Sequence, residues 1–388
     1  MSEALIPYGR HVIDADDLAA VTEVLRGDWL TTGPAVARFE EGFAQYVGAP
    51  HAVAVSNGTA ALHLAMLAIG IKPGDEVIVP ALTFAASANS VRYAGGTVVF
   101  ADVRDDTLTV DPAHVASLIT ARTKAIVAVD YAGLPADLAP LLDLCNTHGL
   151  ILVEDACHAP GAEYHERRVG SIAHLSVFSF HPVKHMTTGE GGMVTSANAE
   201  LAGRVRLLRN HGISSDHRQR ELAGTWSYDM LELGFNYRLP DLLCALGLSQ
   251  LKKLPTWLAR RRALAARYRA ELDAVPGIRV PIEPDDRRHA WHLYPVRVVA
   301  DDVAAARQAM YSALRADGIG VNVHYLPVYL HSYYQGLGYA RGLCPVAEAA
   351  YDGLLSLPMW HGMTDEQFDK VIDAVRKHAP SPRTAGAA

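Results

Sequence analysis

Between residues 51 and 180, short apolar, β-branched runs alternate with helix-like stretches, and this alternation restricts the fold more than any other feature of the chain. The runs are His51–Ser56, Glu76–Val79, Thr97–Asp102, Ala125–Asp130, Leu150–Glu154 and Leu175–Phe180. Between most of them lie helical patterns at Thr59–Ile69, Ala85–Tyr93, Pro112–Ile119 and Leu138–His148, several with Gly or Pro at an end. Apolar strands separated by helices predict an α/β fold: a largely parallel central sheet with helices on both faces.

After Gly234 the pattern changes. Residues 240–274 read as one long helical region, rich in Arg and Ala and broken near Pro255. Beyond it we expect a strand at Leu293–Val299, a helix at Val303–Asp317, a second strand at Ile319–Tyr325 and a closing helix at Asp365–His378. The expected organisation is a large domain over 1–250, a smaller α+β domain over 251–380 and a frayed tail over 381–388. The polar stretch Ser214–Thr225 reads as a mobile loop.

Several function classes are excluded at this level. A formal net charge of −7 argues against a general nucleic-acid binder. No stretch approaches the roughly 18 apolar residues of a membrane span, and Met1–Pro7 lacks a secretory signal pattern. A cytoplasmic protein with no membrane partner is expected. Cys145, Cys157, Cys244 and Cys344 contain no C-x-x-C pair, so neither a disulfide framework nor a zinc knuckle is indicated. His158, His165, His174, His181 and His185 cluster in sequence without ligand spacing, and no metal is expected.

Of the 35 basic residues only seven are Lys, at 72, 124, 184, 252, 253, 370 and 377. Six occupy turn-like or helix-surface contexts. Lys184 instead lies past an apolar strand, in Ser179-Phe-His-Pro-Val-Lys-His-Met-Thr-Thr-Gly-Glu-Gly-Gly, five residues before a Gly-rich turn. A partly desolvated lysine has a lowered pKa and can form a Schiff base with an aldehyde. Asp155, in Leu150-Ile-Leu-Val-Glu-Asp-Ala-Cys-His, stands at the carboxyl end of a buried strand, the edge of an α/β sheet where ligands bind. Its carboxylate either caps the next turn of the chain or pairs with a ligand cation. Asn57-Gly-Thr comes after another strand and opens a helix, where backbone amides and the helix dipole favour an anion. Read alone it is an ordinary strand–helix turn, and its spacing is neither a dinucleotide nor a Walker motif.

Taken in order, Trp29-Leu-Thr-Thr-Gly-Pro, Asn57-Gly-Thr-Ala-Ala-Leu, Pro80-Ala-Leu-Thr-Phe, Glu154-Asp-Ala-Cys-His-Ala-Pro-Gly-Ala, Ser179-Phe-His-Pro-Val-Lys, Thr188-Gly-Glu-Gly-Gly and Gly234-Phe-Asn-Tyr-Arg-Leu resemble the DegT/DnrJ/EryC1/StrS sugar aminotransferases. The resemblance runs over nearly the whole chain and implies the aspartate-aminotransferase (type I) fold with pyridoxal 5′-phosphate as cofactor. It implies that Lys184 holds the cofactor aldehyde and serves as acid and base, and that Asp155 pairs with the pyridinium nitrogen. Phe84 would stack on the ring, Gly58, Thr59 and Ser179 would cradle the phosphate, and His158 would lie beside the ring or its 3-hydroxyl. Asn236 would reach the phosphate of a neighbouring subunit, so a homodimer with shared active sites is implied.

Val129-Asp-Tyr-Ala-Gly, His158, His292-Leu-Tyr-Pro, Val323-His-Tyr-Leu-Pro and Ser356-Leu-Pro are similar to the subgroup that makes UDP-4-amino-4,6-dideoxy-N-acetyl-β-L-altrosamine for pseudaminic acid. That likeness implies amino transfer from L-glutamate to the C4 ketone of a UDP-4-keto-6-deoxy-N-acetylhexosamine. Tyr8, Asp28, Trp29, Leu30, Thr31, Val323, His324, Tyr325 and Leu326 would line the sugar-nucleotide site, with residues 1–33 contributing to it. Arg238 is a candidate for the donor carboxylate, since a guanidinium fork suits that group. Asn57-Gly58 departs from the Ser-Ala of some subgroup members. Another nucleotide-linked keto sugar, a keto-cyclitol or aminoglycoside precursor, and a non-catalytic binding protein on the same fold are the alternatives.

Overall fold

The computed structural model describes residues 5–215 and 217–380. In chain order its elements begin with α1 (Ala15–Arg26), α2 (Pro34–Val47), β1 (His51–Val55), α3 (Gly58–Ala68), β2 (Glu76–Pro80), α4 (Ala85–Tyr93) and β3 (Thr97–Ala101). Next come α5 (Pro112–Leu118), β4 (Thr123–Val129), α6 (Leu138–His148), β5 (Ile151–Asp155), and the short β6 (Glu163–Tyr164) and β7 (Arg167–Arg168). Then come β8 (Leu175–Ser179), β9 (Gly192–Ser196), α7 (Ala199–Leu208), α8 (His217–Leu222) and α9 (Asp241–Leu272). The chain continues with β10 (Ile278–Arg279), β11 (Arg287–Arg288), β12 (Tyr294–Val298) and α10 (Val303–Ala316). It closes with α11 (Ser332–Gln335), α12 (Pro345–Gly353), β13 (Leu354–Leu357) and α13 (Asp365–His378).

Seven strands form the central sheet in the order β1-β9-β8-β5-β4-β2-β3. The β3-β2-β4-β5-β8 pairs are parallel, and β9 runs antiparallel to both its neighbours. Val53, Val77, Val127, Val153 and Val177 are fully buried, as strands covered on both faces require. This is the α/β, largely parallel arrangement that the alternation predicts. Parallel pairing brings the carboxyl ends of β4, β5 and β8 to one edge, with Val129 opposite Asp155 and Asp155 opposite Val177. A second sheet, β10-β12-β13, packs with α10 and α13 around its own core, which includes Tyr268, Tyr294, Val296, Leu314 and Phe368.

Three expectations need correction. The region 240–274 is one continuous helix through Pro255. Leu251, Leu254 and Leu258 are buried while Pro255 is exposed, so the ring stands on the solvent side and packing on the opposite side keeps the helix unbroken. Ile319–Tyr325 forms no strand and makes only the isolated bridges Ile6–Ile319 and Asn322–Ser356; β13 is the third strand of the small sheet. A Cβ on Gly320 would lie 2.6 Å from the Ile6 carbonyl oxygen, so this segment is committed to a close crossing with the N-terminal strap instead of a ladder. Within the polar stretch 214–225 lies the helix α8, and the chain around it exposes Leu222, Trp226 and Leu233 at 80–88%. The expected tail at 381–388 lies outside the described residues. No helix is long and apolar enough to cross a membrane among the described residues.

Candidate active site

A cavity of about 1120 Å3 opens at the carboxyl edge of the sheet. Tyr8, Gly58, Thr59, Phe84, Asp155, His158, Ser179, Lys184, Val323, His324, Tyr325 and Leu326 all line it. They come from segments between 8 and 326, so most of the residues singled out from sequence converge in one place. Asp28, Trp29, Leu30, Thr31, Asn236 and Arg238 do not line it in this chain; Arg238 faces a separate cavity.

Asp155 ends β5, the middle strand, and is 6% exposed. The Ser87 hydroxyl donates to its Oδ2 at 2.7 Å and the Cys157 amide donates to Oδ1 at 3.2 Å. Thr83 Oγ1 lies 2.8 Å behind Ser87 Oγ. Both partners of the carboxylate are neutral, and among the described residues no Lys, Arg or His comes within ion-pair distance of it. A buried carboxylate in that condition calls for a cation from a ligand.

Lys184 lies beyond β8, where Pro182 and the Gly-rich turn prevent a helix, and its amide donates to the His181 carbonyl at 2.9 Å. Burial pulls the Lys184 amine below its ordinary pKa, and the opposing pull of Cys157 and Asp155 is weaker. His158 is also driven well down, first by burial and then by Lys184, His324 and His185, so its imidazole is neutral. Its Nε2 lies 3.2 Å from the Tyr325 hydroxyl, while Nδ1 has no partner. Tyr131 donates to the His324 carbonyl at 2.5 Å, and His324 Nδ1 lies 2.8 Å from Ser356 Oγ, so the 323–326 wall is pinned from two elements.

The phosphate expectation has a local basis. Asn57 caps α3, its Oδ1 accepting from the Ala60 amide at 2.8 Å, which leaves the amides of Gly58 and Thr59 at the helix start beside the cavity. A Cβ on Gly58 would stand 3.0 Å from Ser179 Cβ and 3.2 Å from Cys157 Sγ, so this corner admits a ligand only as close as glycine allows. Phe84, 58% exposed, projects from the start of α4 with its ring 6.0 Å from that of Tyr325. The residues present therefore fit a group carrying a protonated ring nitrogen, a carbonyl carbon and a phosphate.

Sequence reasoning missed Ser87 and Thr83 behind Asp155. It also gave no place in the site to His292, which lines the cavity with its ring 4.3 Å from that of His158, or to His63, beside Tyr237. The strand-end position of Leu293 and the neighbouring aromatic run were the available signals for His292.

A model of the DegT/DnrJ/EryC1/StrS aminotransferase family matches residues 11–376. The spore coat polysaccharide biosynthesis protein SpsC of Bacillus subtilis is 43% identical over 96% of this chain and 96% of its own length. Spr1654 of Streptococcus pneumoniae, described as a sugar aminotransferase by proposal and solved in PMP and PLP forms, superposes in the PMP form with a TM-score of 0.91. It is 31% identical and covers 96% of this chain and 99% of its own. Helicobacter pylori PseC, an aminotransferase involved in the biosynthesis of pseudoaminic acid, gives a TM-score of 0.90 and 32% identity, covering 97% of this chain and 99% of its own. On the strength of a match that runs from α1 to α13, the chain belongs to the DegT/DnrJ/EryC1/StrS aminotransferase family.

Proposed function

We propose that this sugar aminotransferase uses pyridoxal phosphate to move an amino group from L-glutamate to the C4 ketone of a UDP-4-keto-6-deoxy-N-acetylhexosamine. The observation that carries the chemistry is the buried carboxylate of Asp155, lacking a protein cation, in one cavity with the amine of Lys184. When bound, pyridoxal phosphate supplies a carbonyl carbon for amine exchange and an electron-poor ring that delocalises the charge of a carbanion.

The chain's own residues do the rest. Lys184 holds the cofactor's carbonyl carbon through Nζ, and once displaced it takes and returns the proton at the substrate carbon, a task for which a depressed amine pKa suits it. Asp155, oriented by Ser87 and the Cys157 amide, keeps the proton on the ring nitrogen. Amides at the start of α3 and the Ser179 hydroxyl anchor the phosphate. His158, neutral and facing the Tyr325 hydroxyl, hydrogen-bonds the ring substituent. Phe84 covers the ring face.

The substrate rests on the resemblance to the altrosamine-forming subgroup and on the likeness to PseC. The higher identity to SpsC supports a second reading, another nucleotide-linked keto sugar destined for a polysaccharide. Amination measured on a panel of UDP-, dTDP- and GDP-linked 4-keto sugars with L-glutamate separates them. The first reading requires the highest kcat/KM for the UDP-linked N-acetyl sugar; preference for a dTDP- or GDP-linked sugar replaces it with the second.

A further inference from the structure

Tyr237 faces the Lys184 cavity, while the next residue, Arg238, lines a second cavity of about 190 Å3. The wall of this smaller cavity carries three guanidinium groups, from Arg206, Arg209 and Arg238, and, among the described residues, no carboxylate. Among the described residues Glu40 is the only carboxylate within ion-pair reach of the three. Arg209 Nη1 donates to its Oε1, and Arg206 Nη2 stands 3.7 Å from Oε2. Arg209 also donates to the Ala54 carbonyl at 2.6 Å. Arg238 has a single acceptor among the described residues, Asn210 Oδ1, 2.7 Å from its Nη1.

One carboxylate beside three guanidinium groups leaves two positive charges around a partly enclosed space. Burial, and then the nearby Arg209, both push the Arg238 guanidinium below its ordinary pKa, so its charge sits where it is short of a counter-ion. Val36, Leu207, Ile213 and Leu239 complete the wall and lower the local polarity, which strengthens attraction for an opposite charge. Thr32 and Ser214 add neutral hydroxyls. The volume is that of roughly six water molecules at about 30 Å3 each, room for a small anion but not for a nucleotide sugar.

We propose that this cavity is an oxyanion site, separate from the Lys184 cavity, that takes a phosphoryl or carboxylate group between Arg238 and Arg206. Guanidinium forks match either group through paired N–H donors. Because Arg206 has no part in the aminotransferase reading, the site stands or falls independently of that reading.

The test is calorimetric titration of the purified enzyme at constant ionic strength with inorganic phosphate and, separately, with glutarate. It is run on the wild type, Arg206→Gln and Arg238→Gln. Arg206 is 45% exposed at its side chain, so its substitution leaves the fold intact. Binding with a Kd of about 1 mM or tighter is expected for one of the two anions, and the anion that binds identifies the group. Each variant should weaken it by at least about tenfold. Absence of binding by both anions overturns the proposal. So does binding that Arg206→Gln leaves unchanged, because the anion then sits elsewhere even if Arg238→Gln weakens it.

Discussion

The Ser87 hydroxyl and the Asp155 carboxylate meet at 2.7 Å across 68 residues of sequence, joining α4 to the end of the central strand. Ser87 is completely buried, and Thr83 Oγ1 stands 2.8 Å behind it. A hydroxyl bonded to a carboxylate holds one rotamer of the acid and one lone-pair direction. The orientation of Asp155 toward the cavity thus depends on a helix that offers nothing else to the chemistry.

Asp155→Asn should still bind pyridoxal phosphate yet lose turnover by about a hundredfold or more, since a neutral amide no longer favours a protonated ring nitrogen. Ser87→Ala acts one step removed, so kcat should fall about tenfold with KM for the sugar unchanged. Steady-state kinetics beside cofactor titration check both. Near-normal kcat in the Asn variant would leave Asp155 as a turn-forming residue whose Oδ1 serves the Cys157 amide.

Borohydride treatment of the holoenzyme should fix cofactor on Lys184, and Lys184→Ala should yield no covalent adduct. Peptide mass spectrometry reads this directly. An adduct on Lys72, Lys124 or any other lysine would remove Lys184 from its role.

Stability should fall as pH drops from 7 toward 4. Burial holds several imidazoles below the ordinary histidine range, among them His158, His185, His289 and His292, with His324 pushed down to about 4 and His361 to about 3. Below pH ~6.5 the unfolded chain binds protons that the folded chain refuses, so stability rises with pH in this window. Buried Asp130 and Glu154 work the other way. Their carboxyls are raised, Glu154 to about 7, so they favour the folded state below that pH. The imidazoles outnumber them. His361→Phe, stacked on Trp257, should flatten the dependence by about 1 kcal/mol per pH unit, seen in urea midpoints between pH 4 and 6. An unchanged slope would mean that His361 is not held neutral.

Lys184→Ala and Asn236→Ala should each be impaired alone, and mixing them under subunit exchange should return roughly a quarter of wild-type activity. Asn236 does not line the Lys184 cavity of its own chain, although its neighbour Tyr237 does. Complementation is the outcome if Asn236 serves a second copy. No recovery despite demonstrated exchange would place its action within its own subunit.

The strands and helices from 51 to 180 were legible because each is a local pattern, apolar runs two-sided in burial and helices marked by Asn57 or Pro112 at their starts. Lys184 and Asp155 stood out because strand ends at a parallel sheet edge are readable from order alone. Ser87 was not, since a serine inside a helix has no distinguishing neighbours and its partner is far along the chain. β9 escaped because Gly192-Met-Val-Thr-Ser comes after a Gly-rich turn and reverses direction, which the alternating pattern does not signal. Pro255 misled because local propensity was outweighed by tertiary packing along α9.

Asp241, at the start of α9, is 1% exposed and accepts from the Gly33 amide at 2.7 Å and the Ala35 amide at 2.9 Å, while its own amide donates to the Leu30 carbonyl at 3.0 Å. The Asp28–Thr31 segment is therefore latched at its downstream end to the longest rigid rod in the molecule. Loop swaps meant to alter what that segment meets have freedom only upstream of Leu30. A graft that carries the loop into a relative without an acid at the head of its long helix would transfer the letters and leave the shape behind.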